Sequence, residues 1–461
     1  MEKREIGARL ITIAGCWLAT TALFLSAACS AFAFGGAAEP DGALADRSIP
    51  NRSIKERQLP GGYPTAPSKP PAYSIPVGPL GFSAPGPLYL GERNAMASLN
   101  FIGESRLLLT FRVPGLIHRN LRPGEDAESD VRQIRALVLN IATGLVEAEA
   151  LWTLHDRTRY LWMLNDGHFL LRDKENLSVG DEHLEMKPLL RFPGRLLRIG
   201  LDPSQQYIVS NSLEPAEAPA KPGYVGSPAA ASATITTDEQ QPAPPPPDFV
   251  VRILHRESGK VMLVSRTRTM VQLPINSEGY IENLRGRDDE WVLNLNFFTG
   301  GSHTLGNVSS SCAPNNDFIS EKVVLATGCD SSGAIKLVAI TTDGHILWDD
   351  LNPVTAVWPV QFHSADGLRM VQETLAVTHA VGPYSPLGTD DIKGQLVQVL
   401  NTATGEIVFE SPASPIFDIG GNAAISPTGR RVAVINAGAV QVFDLPAPPP
   451  IPNSPNQQPS H

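Results

Sequence analysis

The sequence predicts an all-β protein built from a repeated unit. A seven-residue segment, VLNIATG at residues 138–144, returns almost unchanged as VLNTATG at residues 399–405. Each copy is an apolar strand that runs into a polar turn ending in glycine, which is one hairpin of a repeated β unit. Short apolar strands alternate with turn residues between three Pro-rich blocks, and helical periodicity is nearly absent.

The turns of the chain form two interleaved series. Seven turns belong to the first series, at residues 103–104, 166–167, 202–204, 278–279, 320–321, 366–367 and 428–429. The second series lies at residues 143–144, 179–180, 258–259, 299–300, 343–344 and 404–405. A four-stranded meander needs two such turns, one between its first and second strands and one between its third and fourth. With the Pro-rich insertion set aside, the spacing is about 48 residues, which matches a propeller blade of about 40–50 residues. We therefore expect a seven-bladed β-propeller of four-stranded antiparallel blades over residues 87–445.

Two short motifs resemble known propeller repeats. The segment ISPTGRRVAV at residues 425–434 resembles the turn between the inner strands of WD40-like and YVTN-like propellers, and Phe443-Asp444 stands where that family ends a strand with Trp-Asp. The segment TDGHILW at residues 342–348 is similar to a hairpin of pyrroloquinoline-quinone-like propellers, which include quinoprotein dehydrogenases and an assembly scaffold lipoprotein. These resemblances imply the fold. We predict no cofactor, because the sequence lacks the vicinal cysteine pair that would cover a quinone, and we expect Trp348 to pack on an outer strand.

The last predicted blade ends after its third strand at Leu445. Its fourth strand is predicted at residues 87–90, so that the two ends of the chain pair and close the ring. Closure removes the exposed edge strands that favour aggregation.

The chain outside the propeller divides into four segments. Residues 1–33 have a basic start and an apolar run that ends in Ala-Phe-Ala, which predicts a cleaved signal peptide. An uncleaved membrane anchor and a lipid on Cys29 remain alternatives. Residues 34–86 are interpreted as a Pro/Gly-rich disordered tether, residues 214–248 as a disordered insertion and residues 446–461 as a disordered tail. The protein is expected to be exported, periplasmic or secreted, and to associate with a membrane only through its N-terminal segment.

Cys312 and Cys329 are the two cysteines outside the signal segment. Such a pair in an exported chain favours a disulfide. Cys312 precedes a strand predicted at residues 314–318, and Cys329 ends the apolar run at residues 323–328. Antiparallel neighbours would bring their Cα atoms to about 4.5–5.5 Å, a distance that suits a disulfide. Two independently buried thiols are the alternative.

Composition and motifs exclude several functions. A formal charge of −10 and a pI near 5.5 give no basic surface for nucleic acid. The densest group of potential metal ligands, residues 181–185, is more typical of a solvated turn, so no metal site is predicted. No motif marks a nucleophile, and no catalytic residue is assigned.

Long connections indicate the working face. They follow the second strand of three predicted blades, so they should emerge on the same side of the ring. Within them, Arg119, Arg122, Tyr224 and Tyr384 are the candidate partner-binding residues, because arginine and tyrosine are enriched among binding anchors. We predict a non-catalytic binding or scaffold module for a protein or glycan of the cell envelope.

Two alternatives remain open. The long connections could be tolerated decoration, or the protein could be a propeller enzyme, quinone-dependent or a hydrolase, with its site in the central channel. An enzyme should bring polar side chains together from several first strands. Residues 97–100, 160–164 and 423–425, taken from three of these strands, look mainly apolar, which favours the binding module.

Overall fold

The structure, a computed structural model, describes residues 63–84, 97–113, 131–155, 159–214, 248–380, 387–417 and 420–449. Within these residues the protein is an all-β, seven-bladed propeller, as predicted. A short 3-10 turn, Thr389–Asp391, is the helical element of the described chain. No helix among these residues is long and apolar enough to span a membrane.

The strands follow the chain order of the blades, except for the first strand, β1 (Tyr73–Pro76). Blade 1 contains β2 (Ala97–Phe101), β3 (Arg106–Arg112), β4 (Arg132–Asn140) and β5 (Val146–Leu154). Blade 2 contains β6 (Leu161–Met163), β7 (Phe169–Asp173), β8 (Asn176–Gly180) and β9 (Met186–Arg191). Blade 3 contains β10 (Arg195–Leu201), β11 (Tyr207–Glu214), β12 (Asp248–His255) and β13 (Val261–Thr267).

The remaining blades complete the ring. Blade 4 contains β14 (Gly279–Arg285), β15 (Glu290–Phe297) and β16 (Ser302–Ser309). Blade 5 contains β17 (Asn315–Ser320), β18 (Val323–Cys329), β19 (Ile335–Thr341) and β20 (Ile346–Leu351). Blade 6 contains β21 (Ala356–His363), β22 (Arg369–Val377), β23 (Ile392–Asn401) and β24 (Ile407–Ala413). Blade 7 contains β25 (Ala423–Ile425), β26 (Arg431–Asn436) and β27 (Ala439–Asp444), and β1 is its fourth strand.

Blade 4 has a reduced first strand. Its innermost position is marked by a single bridge between Ile275 and Tyr280. Pro274 has no N–H to donate to a sheet, although its carbonyl accepts a hydrogen bond from Ile281 N (3.0 Å). The proline therefore explains why the innermost position of blade 4 holds a bridge instead of a full strand.

Each pair of neighbouring blades encloses its own apolar core. All residues of β22 are buried, because a middle strand is covered on both faces by the adjacent blades. The described residues form seven clusters of buried hydrophobic side chains, one at each junction between neighbouring blades. An open array of seven blades has only six junctions, so the seventh cluster, which joins blades 7 and 1, shows that the ring is closed.

The closing strand lies earlier in the chain than predicted. β1 pairs with β27, with Tyr73 opposite Val442 and Ile75 opposite Val440. Residues 87–90, where closure was predicted, lie outside the described residues. The position predicted for this strand is therefore wrong, although closure by the N-terminal side of the chain is confirmed.

Residues 63–84 are consequently part of the folded ring and not of a tether. Ser68 N donates to Glu410 O (2.8 Å) on the outer edge of blade 6. At the other end of the segment, the ring of Phe82 packs edge-to-face on that of Phe111 in blade 1, with centroids 5.6 Å apart. The segment thus spans blades 6, 7 and 1, and we call residues 63–84 the strap.

The predicted disulfide between Cys312 and Cys329 is present, with Cα atoms 5.4 Å apart. Cys312 precedes β17 and Cys329 ends β18, in agreement with the predicted strand positions. The backbone N–H of Cys329 donates to Ser310 Oγ (2.9 Å), which in turn donates to Cys312 O (2.7 Å). The bridge therefore fixes the segment that joins blades 4 and 5. A disulfide also fits an oxidising compartment.

Candidate functional site: the insertion face and the central channel

The three long connections all join the second strand of a blade to its third, between β3 and β4, β11 and β12, and β22 and β23. In a meander these connections emerge on one side of the ring, which we call the insertion face; the first-to-second and third-to-fourth turns form the opposite turn face. Arg119, Arg122, Tyr224 and Tyr384 lie in these connections, outside the described residues, and their proposed role stays a prediction. The predicted signal peptide with Cys29 and most of the insertion at residues 214–248 also lie outside this part of the chain.

The described ends of each connection are closely paired. Val113 N donates to Gln133 O (2.9 Å), and Thr378 N donates to Asp391 O (2.8 Å). In blade 3, Glu214 stands directly opposite Asp248. Each insertion therefore leaves and re-enters its blade at a single closed point.

A buried ion pair strengthens the base of the blade 3 insertion. Arg252 forms two hydrogen bonds with the carboxylate of Glu214, and Ser212 Oγ donates to the same group (2.6 Å). Burial raises the pKa of Glu214, but the bonds from Arg252 and Ser212 together outweigh it, so the pKa is lowered. The two parallel bonds between the guanidinium of Arg252 and the carboxylate of Glu214 hold β12 and β11 together at the base of the insertion. A long loop can therefore begin there without separating the two strands.

On the turn face, carboxylates connect different blades. Glu321 of blade 5 accepts hydrogen bonds from Ser204 N (2.9 Å) in blade 3 and from Ser277 N (2.9 Å) and Oγ (2.6 Å) in blade 4. Glu104 of blade 1 accepts one from Thr428 N (2.8 Å) in blade 7. The short turns are thus held to one another, which makes this face a brace for the ring.

Polar side chains converge in the central channel from five consecutive blades. They are carried by the innermost segments of blades 2 to 6 and are Arg159, Arg198, Gln272, Asp317 and His363. Four of these side chains remain accessible to solvent although strands surround them on all sides: Arg159, Arg198, Gln272 and Asp317. The charges of Arg159, Arg198 and His363 all act on the carboxyl of Asp317, although these residues belong to different blades. A shared channel at the centre of the ring explains both observations.

The two arginines are positioned by neutral groups. Arg159 Nε donates to Leu161 O (3.2 Å), and its guanidinium lies over the ring of Trp162, 5.3 Å from the centroid. Arg198 Nη1 donates to Gln272 Oε1 (2.7 Å) across the junction of blades 3 and 4. Burial and then repulsion by Arg198 lower the pKa of Arg159 to about 10, and burial lowers that of Arg198. Both remain cations at pH 7.

Asp317 and His363 lie on the other side of the channel. Burial raises the pKa of Asp317, while the positive charges of His363, Arg198 and Arg159 act in the opposite direction. Nδ1 of His363 donates to the carbonyl of Ser364 (3.0 Å), since a carbonyl can only accept. In the neutral ring Nε2 is then an acceptor. The channel therefore combines two cations, a carboxyl group and an imidazole.

The sequence predicts first strands that are mainly apolar, but three of these strands carry or adjoin a charged residue. Arg159 directly precedes a segment interpreted as apolar, and Arg198 and Asp317 lie inside the first strands of blades 3 and 5. A usable signal was present, because each is a charged residue within or beside a predicted innermost strand. The first strand of each blade is the innermost one, so these residues lie beside the central channel.

Two other predicted features have structural explanations. Trp348 lies buried on the outer strand β20, and its Nε1 donates to Thr402 O (2.7 Å) in the next blade, as expected of packing. Asp181 Oδ1 accepts hydrogen bonds from the backbone N–H groups of His183 (2.9 Å) and Glu185 (3.0 Å), which is turn chemistry. Among the described residues, no three potential metal ligands come together.

The sequence matches no protein-family profile and no curated protein. Among solved structures, it is similar to an acylaminoacyl peptidase from Pyrococcus horikoshii, with 10% identity, a TM-score of 0.41 and coverage of 74% of this chain and 49% of that one. It is also similar to the β-propeller domain of the Trilobed protease from Pyrococcus furiosus, with 11% identity, a TM-score of 0.40 and coverage of 76% and 93%. The chain thus spans about half the length of the peptidase chain. Similarity at this level concerns the fold alone, and no family profile confirms the resemblance to WD40-like propellers.

Proposed function

We propose that the protein is an exported, non-catalytic binding or scaffold propeller that holds a protein or glycan of the cell envelope on its insertion face. The observation that carries this proposal is the placement of all three long connections on one face. Each connection starts from a closed strand pair, while the turn face is braced by Glu321 and Glu104. A rigid ring that presents variable loops on one side is a common arrangement of binding repeat proteins.

The test shortens the insertion without opening the blade. Glu214 and Asp248 are direct partners, so replacing residues 215–247 by Asn-Gly closes a two-residue hairpin. A second variant replaces residues 114–130 by a short turn. The matched control carries Ala142→Arg and Glu257→Arg, which change exposed turns of the opposite face.

We expect both loop variants to keep the melting temperature of the wild type and to lose capture of a partner from an envelope extract in a pull-down. Protease treatment of the extract should abolish capture if the partner is a protein, and periodate oxidation should abolish it if the partner is a glycan. Capture that survives both loop variants but disappears in the turn-face control would show that the proposal names the wrong face.

A propeller enzyme is the second candidate, and the channel provides one observation in its favour. Asp317 has a raised pKa and lies near the charge of His363, and such perturbed groups cluster at functional sites. Hydrolysis of an ester or peptide substrate that is lost in Asp317→Asn, with the fold retained, would support this candidate. Unchanged turnover in that variant would oppose it.

A further inference from the structure

Among the described residues, the two arginines of the channel lack a directly bonded counter-ion, although the charge of Asp317 acts on both. Within the described chain, neither Arg159 nor Arg198 takes part in an ion pair, and the groups that hold them are a carbonyl, an indole ring and an amide. These partners orient the two guanidinium groups without neutralising them. The pair thus differs from Arg252, whose charge is matched by Glu214.

The two positive charges also repel each other. Arg159 precedes β6 and Arg198 lies in β10, the first strands of the neighbouring blades 2 and 3. In keeping with this placement, the charge of Arg198 lowers the pKa of Arg159. A channel walled by protein concentrates this positive potential, because fewer water molecules screen it than at an outer surface. Asp317 offsets the potential only in part, from the opposite wall. A negative group in the space near both arginines would reduce this repulsion.

We propose that the central channel binds an oxyanion, a carboxylate or a phosphate group, between Arg159 and Arg198. Guanidinium groups bind both kinds of anion through parallel hydrogen bonds, and orientation before binding reduces the entropic cost. Arg198 keeps further N–H donors in addition to the one directed at Gln272. The stacking of Arg159 on Trp162 leaves the edge of its guanidinium for a ligand.

The site opens towards the insertion face. Arg159 precedes β6, and the first strand of each blade runs from the insertion face to the turn face, where it enters its first-to-second turn. A ligand can therefore reach the arginines from the side on which the long connections emerge. This inference concerns a small anion and does not depend on a macromolecular partner at the insertion face.

The experiment measures binding of two probes, inorganic phosphate and succinate, at constant ionic strength with chloride as the balancing salt. Isothermal titration calorimetry and thermal shift should detect saturable binding of one or both probes by the wild type. Arg159→Gln and Arg198→Gln should each weaken binding about tenfold or more, because hydrogen bonds to charged groups contribute at least the free energy of one decade in affinity. Arg285→Gln is the matched control, since Arg285 also lies over an indole ring, Trp291 at 5.9 Å, but on a second strand away from the channel.

A third variant separates ligand binding from a structural role of the arginines. Gln272→Glu places a carboxylate where Arg198 now meets an amide oxygen at 2.7 Å. We expect this tethered anion to raise the melting temperature and to reduce probe affinity at least as much as Arg198→Gln. Absence of saturable binding at millimolar probe, or equal binding by wild type, Arg198→Gln and Gln272→Glu, would overturn the proposal. Neither result would affect partner capture, which tests the proposed function.

Discussion

Glu373 shows at the level of one residue how the ring tolerates an acid in its core. It lies fully buried on β22, and its Oε2 accepts a hydrogen bond from Gln395 Nε2 (3.1 Å). Burial raises the pKa of Glu373 to about 8, although the backbone N–H groups of Ala423 and Gly421 act in the opposite direction. The carboxyl is therefore mostly protonated at pH 7, which avoids the larger cost of burying an unpaired charge.

This raised pKa predicts a pH-dependent stability. The carboxyl of Glu373 loses its proton near the ordinary pKa of 4.5 in the unfolded chain, whereas the folded chain keeps it up to about pH 8. The contribution of Glu373 is thus full below about pH 4.5 and declines as the pH rises towards 8. Glu373→Gln should remove this decline and be more stable than the wild type at pH 8. The upper limit of the difference in the free energy of unfolding is about 1.4 kcal/mol for each unit by which folding raises the pKa.

Chemical denaturation of both proteins at pH 5, 6.5 and 8 measures the difference directly. Other groups that titrate contribute equally to both proteins, so they cancel in the comparison. Glu185→Gln, an exposed residue, should follow the wild type. Parallel loss of stability in the wild type and Glu373→Gln between pH 5 and pH 8 would show that Glu373 does not hold a proton in the folded state.

The grouping of charged residues in the channel could not be predicted from the sequence, unlike the disulfide. Cys312 and Cys329 could be paired because both flank strands joined by a short turn. Arg198 and Asp317 could not be brought together in the same way. They lie on different blades, and the same charges on a strand would face bulk water if the ring were open. Only the closed ring decides that they share one channel.

Individual hairpins were predictable because their chemistry is local. In both copies of the repeated segment the turn ends in a glycine with positive φ, 69° at Gly144 and 70° at Gly405. Asn140 Oδ1 caps the first of these turns by accepting a hydrogen bond from Ala142 N (3.0 Å).

The sequence indicates a strand much less clearly at β1. Its buried and exposed residues alternate, but Pro76 and the prolines nearby obscure the pattern, and its partner β27 lies at the other end of the chain. A proline is tolerated there because β1 is an edge strand.

The disulfide stabilises the element that joins blades 4 and 5. It closes a loop with a sequence separation of 17. In the chain-entropy treatment, a loop of this size contributes roughly 3 kcal/mol to the free energy of unfolding. We expect Cys312→Ala/Cys329→Ala to lose about this amount in guanidinium denaturation. Dithiothreitol should produce a similar loss in the wild type and none in the double variant. A wild type that is indifferent to reductant would contradict the bridge.

At the scale of the whole molecule, stability depends on closing the ring. The seventh apolar cluster joins blades 7 and 1 and includes Ile75 and Val77 of the strap. The sequence predicts that the N-terminal side of the chain closes the ring. Because proline-rich segments are typical of disorder, it places the closing strand after the strap, whereas β1 lies within it. In a closed ring each blade is supported on both sides, whereas opening one junction exposes the apolar cluster that two blades share.

The strap can be tested through two neighbouring residues of β1. Ile75 is buried in the cluster between blades 7 and 1, whereas Ser74 is exposed. Ile75→Ala should lower the free energy of unfolding by roughly 2–5 kcal/mol, the usual cost of removing a large buried side chain. Ser74→Ala should change it by less than about 0.5 kcal/mol, as at most surface positions. Guanidinium denaturation of the full chain measures both values. If residues 63–84 were a free tether, the two substitutions would have the same negligible effect, since neither side chain would lie in a core. A large and selective loss for Ile75→Ala therefore identifies β1 as the strand that holds the ring closed.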